Sequence, residues 1–174
     1  QLPFSENHSY QPSSPYSASK ASSDHFVRAY SRTYNIPISI TNCSNNYGPH
    51  QHLEKFIPTI ISSILENKPI PIYGKGDNVR DWLFVKDHIA AIDVVFHNGV
   101  LGSTYNIGAN TELSNLDVVK LICDICKRKK IHPNPLNLIS FVDDRLGHDK
   151  RYAVNASKLK ETLGWTPKYN LIDA

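Results

Sequence analysis

Short runs rich in β-branched residues alternate with longer runs whose apolar residues recur every three or four positions, and this alternation is the strongest constraint on the fold. The strand-like runs are Ile38–Cys43, Trp82–Val85, Ser103–Ile107 and Leu138–Val142. Between them the helical period predicts helices over 16–34, 53–67, 85–96, 115–127 and 155–163. In the first of these, Ala18, Ala21, His25, Phe26, Ala29 and Tyr30 carry the pattern. Ser13 or Ser14 suits its cap and Pro15 its first position, while Asn35-Ile36-Pro37 breaks it. Gly164 closes the last helix. Pro69–Tyr73 is extended, and its two prolines place it at a sheet edge. Residues 1–15 and 44–52 read as loops, and 74–78 as a turn. Alternating strands and helices indicate an α/β architecture.

Composition narrows the function classes. The 174 residues are 40% apolar and 20% charged, with a formal net charge of +3, ordinary for a globular protein. The densest charge cluster, Lys127-Arg128-Lys129-Lys130, closes a helix, where cations meet the negative end of the dipole, so no nucleic-acid partner is expected. No apolar stretch reaches membrane-spanning length, and no membrane association is expected. Cys123 and Cys126 form a CxxC inside a helical run with no second pair to complete a zinc site. They read as buried thiols, the eight histidines lack ligand spacing, and no metal is expected. Unpaired thiols suit a reducing, cytoplasmic setting. The chain has no Met, begins at Gln1-Leu2-Pro3 in what reads as mid-loop, and ends as an apolar segment starts at Leu171-Ile172-Asp173-Ala174. The expectation is a fragment of a longer protein.

The first chemical feature is Tyr16-Ser-Ala-Ser-Lys20. Positions i and i+4 share one helix face, so a phenol and an ammonium project into the same space. Tyrosine, with a reference pKa of ~10, is a poor base at neutral pH, and a neighbouring ammonium favours the phenolate. Such a pair can take a proton from a sugar hydroxyl while hydride leaves the same carbon. The spacing also arises by chance on amphipathic helices. What sets this pair apart is its surroundings, because Ser17, Ala18, Ser19, Ala21 and Ser22 leave room for a ligand to approach the helix.

The stretch Pro12-Ser-Ser-Pro-Tyr-Ser-Ala-Ser-Lys-Ala-Ser-Ser-Asp24 resembles the active-site segment of extended short-chain dehydrogenases/reductases, and most closely the dTDP-glucose 4,6-dehydratase family. The likeness continues through Thr41-Asn-Cys-Ser-Asn-Asn-Tyr-Gly-Pro49, Pro71-Ile-Tyr-Gly-Lys-Gly-Asp-Asn-Val-Arg-Asp-Trp82 and Asp144-Arg-Leu-Gly-His-Asp149, and covers nearly the whole chain. The resemblance implies the distal part of a Rossmann-type NAD-binding domain plus a smaller α/β substrate-binding lobe. Residues 1–52 would be the C-terminal part of the NAD domain and residues 53–174 mainly the nucleotide-sugar lobe.

The same resemblance implies roles residue by residue. Tyr16 is the catalytic base and Lys20 its partner and a ribose ligand, and both line the NAD site with Asn46. Asn45 binds the sugar nucleotide, and Lys55 contacts the diphosphate region. Pro71, Ile72 and Tyr73 flank the nucleotide base. Arg80 clamps the diphosphate, a task suited to a planar fork of donors. Asn115, Asp144, Arg145 and His148 complete the nucleotide pocket. Leu146 stands where the family usually has proline, which leaves the shape of that loop open. Without the motif, Asn45 and Asn46 would read as turn residues and Arg80 as the partner of Asp77 or Asp81 in a surface ion pair.

Two family parts do not occur in these residues: the Gly-rich dinucleotide turn and the Thr-Asp-Glu triplet that eliminates water. Gly74-Lys-Gly76 lacks the third glycine and a following helix. The implied reaction turns dTDP-glucose or a UDP-hexose into the 4-keto-6-deoxy sugar with NAD, in a homodimer built on the Tyr-Lys helix. The rivals are a UDP-sugar 4-epimerase, a UDP-glucuronate decarboxylase and an inactive sugar-nucleotide-binding protein.

Overall fold

The structure, a computed structural model, describes residues 3–171, so Gln1-Leu2 and the Ile172–Ala174 part of the closing apolar segment lie outside the described residues. The chain runs α1 (Pro15–Tyr34), β1 (Ile40–Cys43), β2 (Asn45–Tyr47), α2 (Phe56–Leu65), β3 (Ile70–Tyr73), β4 (Val79–Phe84) and α3 (Val85–Asn98). It continues through β5 (Thr104–Ile107), β6 (Glu112–Ser114), α4 (Asn115–Arg128), a 3-10 turn (Pro135–Leu138), β7 (Ile139–Val142), β8 (Arg151–Tyr152) and α5 (Ser157–Leu163). The α/β class expected from the alternation is what the chain adopts.

Strand β1 pairs in parallel with β5, Ile40 opposite Thr104 and Cys43 opposite Ile107. The sheet begun in the first fifty residues therefore takes its second strand from far down the chain, and the two expected regions interleave in sequence. Strand β4 is the hub of the second sheet. Its Trp82–Phe84 half pairs in parallel with β2, and its first residues pair with β6 antiparallel and β8 parallel. Strand β3 pairs with β7 alone among the described strands, the edge position its prolines predict.

Strand β4 also divides the core, because alternate side chains leave a strand on opposite faces. Trp82 and Phe84 pack with Ile60 and Ile64 of α2 and with Val118 and Val119 of α4. Leu83, between them, packs with Ala91, Val95, Tyr105, Ile107 and Leu159 on the other side. Each fully buried Val, Leu or Ile contributes roughly 1.5–3 kcal/mol relative to exposure, so both clusters stabilise the chain and β4 is the wall they share.

Several expectations need correction. Asn45–Tyr47 is a strand and not loop, because Tyr47 is buried and its backbone finds a partner in β4. The strand expected from Trp82 begins at Val79, which puts Arg80 inside it. The second helix starts at Phe56 and not near Leu53, whose side chain is exposed. Strands β6 and β8 and the 3-10 turn were not expected at all; each is too short to show a period. The thiols of Cys123 and Cys126 are buried, as the helical reading expects. Among the described residues no helix is long and apolar enough to cross a membrane.

Candidate functional site

Helix α1 presents the Tyr-Lys pair. Ser14 caps it, its hydroxyl oxygen accepting from the Ser17 amide at 3.1 Å, and Pro15 supplies the first turn with its fixed φ. Asn35 in the left-handed region ends the helix. At four-residue steps Tyr16, Lys20, Asp24 and Arg28 run down one face. Polar contacts tie this helix to the rest. The Tyr10 hydroxyl donates to Asp24 Oδ2 at 2.5 Å, Asn42 Nδ2 donates to the same hydroxyl at 3.4 Å, and Arg28 donates to Thr104 Oγ1 at 2.6 Å. Tyr16 itself is 74% exposed.

At the end of β1 the chain fixes an amide. Asn46 Nδ2 donates to Cys43 Sγ at 3.3 Å and to the Ser44 carbonyl at 3.2 Å, while Gln51 Nε2 holds the Asn46 carbonyl at 2.8 Å. With both amide hydrogens committed, Asn46 Oδ1 is left buried and without a partner among the described residues. Burial pushes the Cys43 thiol up, and the Asn46 hydrogen bond and, less, the Lys20 charge pull it back. The Tyr152 hydroxyl donates to the Cys43 carbonyl at 3.4 Å. Asn45 is half-buried in β2 opposite Trp82.

A second cluster forms around β4 and the loop after β7. Arg80 donates from Nη1 to the Val79 carbonyl and from Nη2 to the Asp149 carbonyl, both at 2.8 Å. Neither Asp77 nor Asp81 takes it as an ion-pair partner; Asp81 instead accepts from the Ala109 and Thr111 amides. Burial pushes the Arg80 pKa down while the Asp149 charge acts the other way. The Arg145 guanidinium lies 4.1 Å above the Tyr73 ring, a cation–π contact that anchors the loop to β3. His148 Nδ1 is 2.7 Å from Asp144 Oδ1, and this bond holds the Asp144 carboxyl below the usual carboxylate range. Gly74 sits at φ +57, where a Cβ would meet the Asp144 carboxyl at 3.1 Å, so a side chain there would push the loop away.

The expected site residues thus fall into two groups. Asn46 is fixed around Cys43, and Lys20 and Tyr16 stand one turn apart on α1. Arg80, Tyr73, Asp144, Arg145 and His148 gather around the 144–149 loop, and the amide of Asn115, at the start of α4, donates to the Asn78 carbonyl nearby at 3.0 Å. Pro71 is half-exposed beside them, but Ile72 is 1% exposed in the core, leaving only its backbone for a ligand. Lys55 stands at the start of α2, exposed and bonded through its side chain to none of the described residues. Sequence reasoning passed over Cys43, Asn78 and Asp149. Among the described residues no group of three or more His, Cys, Asp or Glu could hold a metal ion.

Known proteins align with this arrangement. The family model described as GDP-mannose 4,6 dehydratase matches residues 1–174. The dTDP-glucose 4,6-dehydratase of Salmonella typhimurium is 55% identical over 167 residues, covering 94% of this chain and 46% of the relative. The crystal structure of dTDP-glucose 4,6-dehydratase from Bacillus anthracis, in complex with NAD, superposes with a TM-score of 0.91 at 46% identity, covering 99% of this chain and 53% of that one. A UDP-glucuronic acid 4-epimerase from Bacillus cereus, in complex with UDP-glucuronic acid and NAD, gives 0.90 at 26% identity, with 99% and 54% covered. The chain spans about half the length of the relatives it matches.

Proposed function

The chain belongs to the GDP-mannose 4,6 dehydratase family, and from that premise we propose that it serves a nucleotide-sugar 4,6-dehydratase that converts dTDP-glucose, or a UDP-hexose, to the 4-keto-6-deoxy sugar. The observation that carries this is the Asn46 amide, fixed by Cys43 and Ser44 with its oxygen buried and unpartnered among the described residues. An oriented acceptor there fits the carboxamide hydrogens of a nicotinamide. The small residues around Tyr16 and Lys20 leave room for its ribose. NAD, when bound, would supply the hydride acceptor for sugar C4 and the hydride donor for C6.

The chain's own residues then divide the work. Tyr16 takes the proton of the 4-hydroxyl, and Lys20 favours the phenolate and donates to the ribose. Asn45 donates to or accepts from the sugar nucleotide. Arg80 offers the diphosphate those N–H donors of its fork that backbone carbonyls do not hold, with Lys55 adding charge from the start of α2. Pro71, Tyr73 and the backbone of Ile72 flank the base, and Asn115, Asp144, Arg145 and His148 close the nucleotide pocket. Loss of water across C5 and C6 needs an acid and a base that these residues do not provide. Residues 1–52, joined by β5, belong to the NAD-binding domain, and the remainder of 53–174 is mainly the sugar-nucleotide lobe. We propose a cytoplasmic setting from the free thiols, and a homodimer because α1 carries Phe26 and Tyr30 at 66% and 56% exposure on a helix with no buried residue.

The 4-epimerase reading shares Tyr16 and Lys20, but the B. cereus epimerase has 26% identity against 46% for the B. anthracis dehydratase. Replacing Tyr16 with Phe in the whole enzyme should lower turnover about 10²–10⁴-fold with little change in nucleotide-sugar affinity. Near-normal turnover would sink the role of Tyr16, and a C4-epimer product from the unaltered enzyme would sink the dehydratase reading.

A further inference from the structure

Asp149 touches both halves of the site, and the roles above use neither its carboxylate nor its carbonyl. On one side its carbonyl oxygen accepts from Arg80 Nη2 at 2.8 Å and from Asn78 Nδ2 at 3.2 Å. Asn78 is 3% exposed, so burial fixes where that carbonyl must lie. The next residue is pinned as well, the Val79 amide donating to the Lys150 carbonyl at 2.8 Å. On the other side, Asp149 Oδ1 accepts from the Ser13 hydroxyl at 3.2 Å. Gly147 also runs alongside this segment, a Cβ there falling at ordinary contact distance, 3.5 Å, from the Ser13 carbonyl oxygen. Ser13 immediately precedes the cap of α1 and stands three residues before Tyr16.

We propose that Asp149 is a positioning residue that holds the lead-in of the Tyr16 helix in register with Arg80, so that gripping the diphosphate and aligning the phenol are coupled. The inference rests on the diphosphate role given to Arg80. The main chain of Asp149 faces the arginine strand and its side chain faces the segment leading into the tyrosine helix, so one residue bridges them. Its charge has a second consequence. The carboxylate acts favourably on a half-buried guanidinium whose hydrogen bonds all go to carbonyls. It therefore competes with an incoming phosphate for the same cation.

Steady-state kinetics and nucleoside diphosphate binding in the whole enzyme separate these effects. Asp149→Asn keeps an acceptor for Ser13 and removes the charge. It should bind dTDP or UDP about two- to fivefold more tightly, the scale of an exposed ion pair, with near-normal turnover. Asp149→Ala cuts the tether, so turnover should fall roughly tenfold or more from misplacement of the base while the tighter binding remains. Ser13→Ala should reproduce that loss of turnover without the tighter binding, and the double variant should be no slower than Asp149→Ala. If Asp149→Ala weakens nucleotide binding in step with turnover, the residue merely keeps its loop folded and the proposal fails. It fails equally if Ser13→Ala turns over normally. Arg80→Lys is the control: unchanged dTDP and UDP affinity there would overturn the diphosphate reading, while Ser13 and Asp149 would still report on the tether through turnover.

Discussion

Helix α1 and helix α4 look alike in sequence and behave oppositely in the structure. Both place apolar residues at three- and four-residue steps, and both have a serine cap. Yet α4 buries Val118, Val119, Ile122, Cys123 and Cys126, while α1 buries nothing and is held by Asp24, Arg28 and Tyr10 through polar contacts. Periodicity therefore reports that a segment can be a helix with a face to cover. What covers that face is decided elsewhere in the fold. In this chain α4 builds the core, and α1 leaves Tyr16 and Lys20 open to solvent.

The sharpest way to break that contrast is to cut into both faces. Ile122→Ala should cost about 2–5 kcal/mol, as for other large-to-small core changes, read as a lower urea midpoint at unchanged slope. An unchanged midpoint would mean that α4 is not the core helix it looks like. Thiol chemistry gives a second contrast. Burial and the neighbouring Cys126 push the Cys123 thiol up to about 11, whereas Lys20 and Asn46 partly offset burial at Cys43. The thiolate is the reactive form, so at pH 8 iodoacetamide should label Cys43 well before Cys123. The gap should narrow as pH climbs towards 11 and the Cys123 thiolate fills. Peptide mass spectrometry showing Cys123 labelled first would reverse the assignment.

Smaller effects refine the picture at α1 itself. Ser14→Ala removes the hydroxyl that caps the helix and should cost roughly 1 kcal/mol, visible as a modest loss in thermal or urea stability. Smaller still, Phe26→Ala should change the stability of the 174-residue chain by no more than about 0.5 kcal/mol, as at other exposed positions. The same site changed to Asp should dissociate the proposed dimer of the whole enzyme. A large loss of chain stability from Phe26→Ala would show that α1 is a core helix after all, and an intact dimer with Asp at that site would place the interface elsewhere.

The same contrast explains what the sequence disclosed. All five helices and the strands β1, β3, β5 and β7 were legible, because each has enough residues to show a period or is bracketed by proline, asparagine or glycine. Strand β2 was not, since Asn45-Asn46 carries turn chemistry and becomes strand only through pairing with Trp82 and Leu83. The i, i+4 pair Tyr16 and Lys20 could be seen from its spacing together with the small residues around it. The orientation of Asn46 could not, because it depends on a thiol and a carbonyl. Asp149 was hidden for a related reason: two of its three hydrogen bonds use the main-chain carbonyl, which no side chain reveals.

Strand β4, with Leu83 on one face and Trp82 and Phe84 on the other, sets a strict rule for how this chain can change over generations. Deleting one residue between Arg80 and Trp82 would move every later side chain of the strand to the opposite face. The indole of Trp82 would turn towards the cluster that now receives Leu83, and Arg80 would lose its parity with Trp82 and Phe84. Descendants of this sequence can therefore exchange residues along β4 far more readily than they can gain or lose one, whereas the mostly exposed 129–134 loop after α4 has no such parity to keep. Length variation among natural homologues should collect in that loop and leave the count from Arg80 to Phe84 untouched.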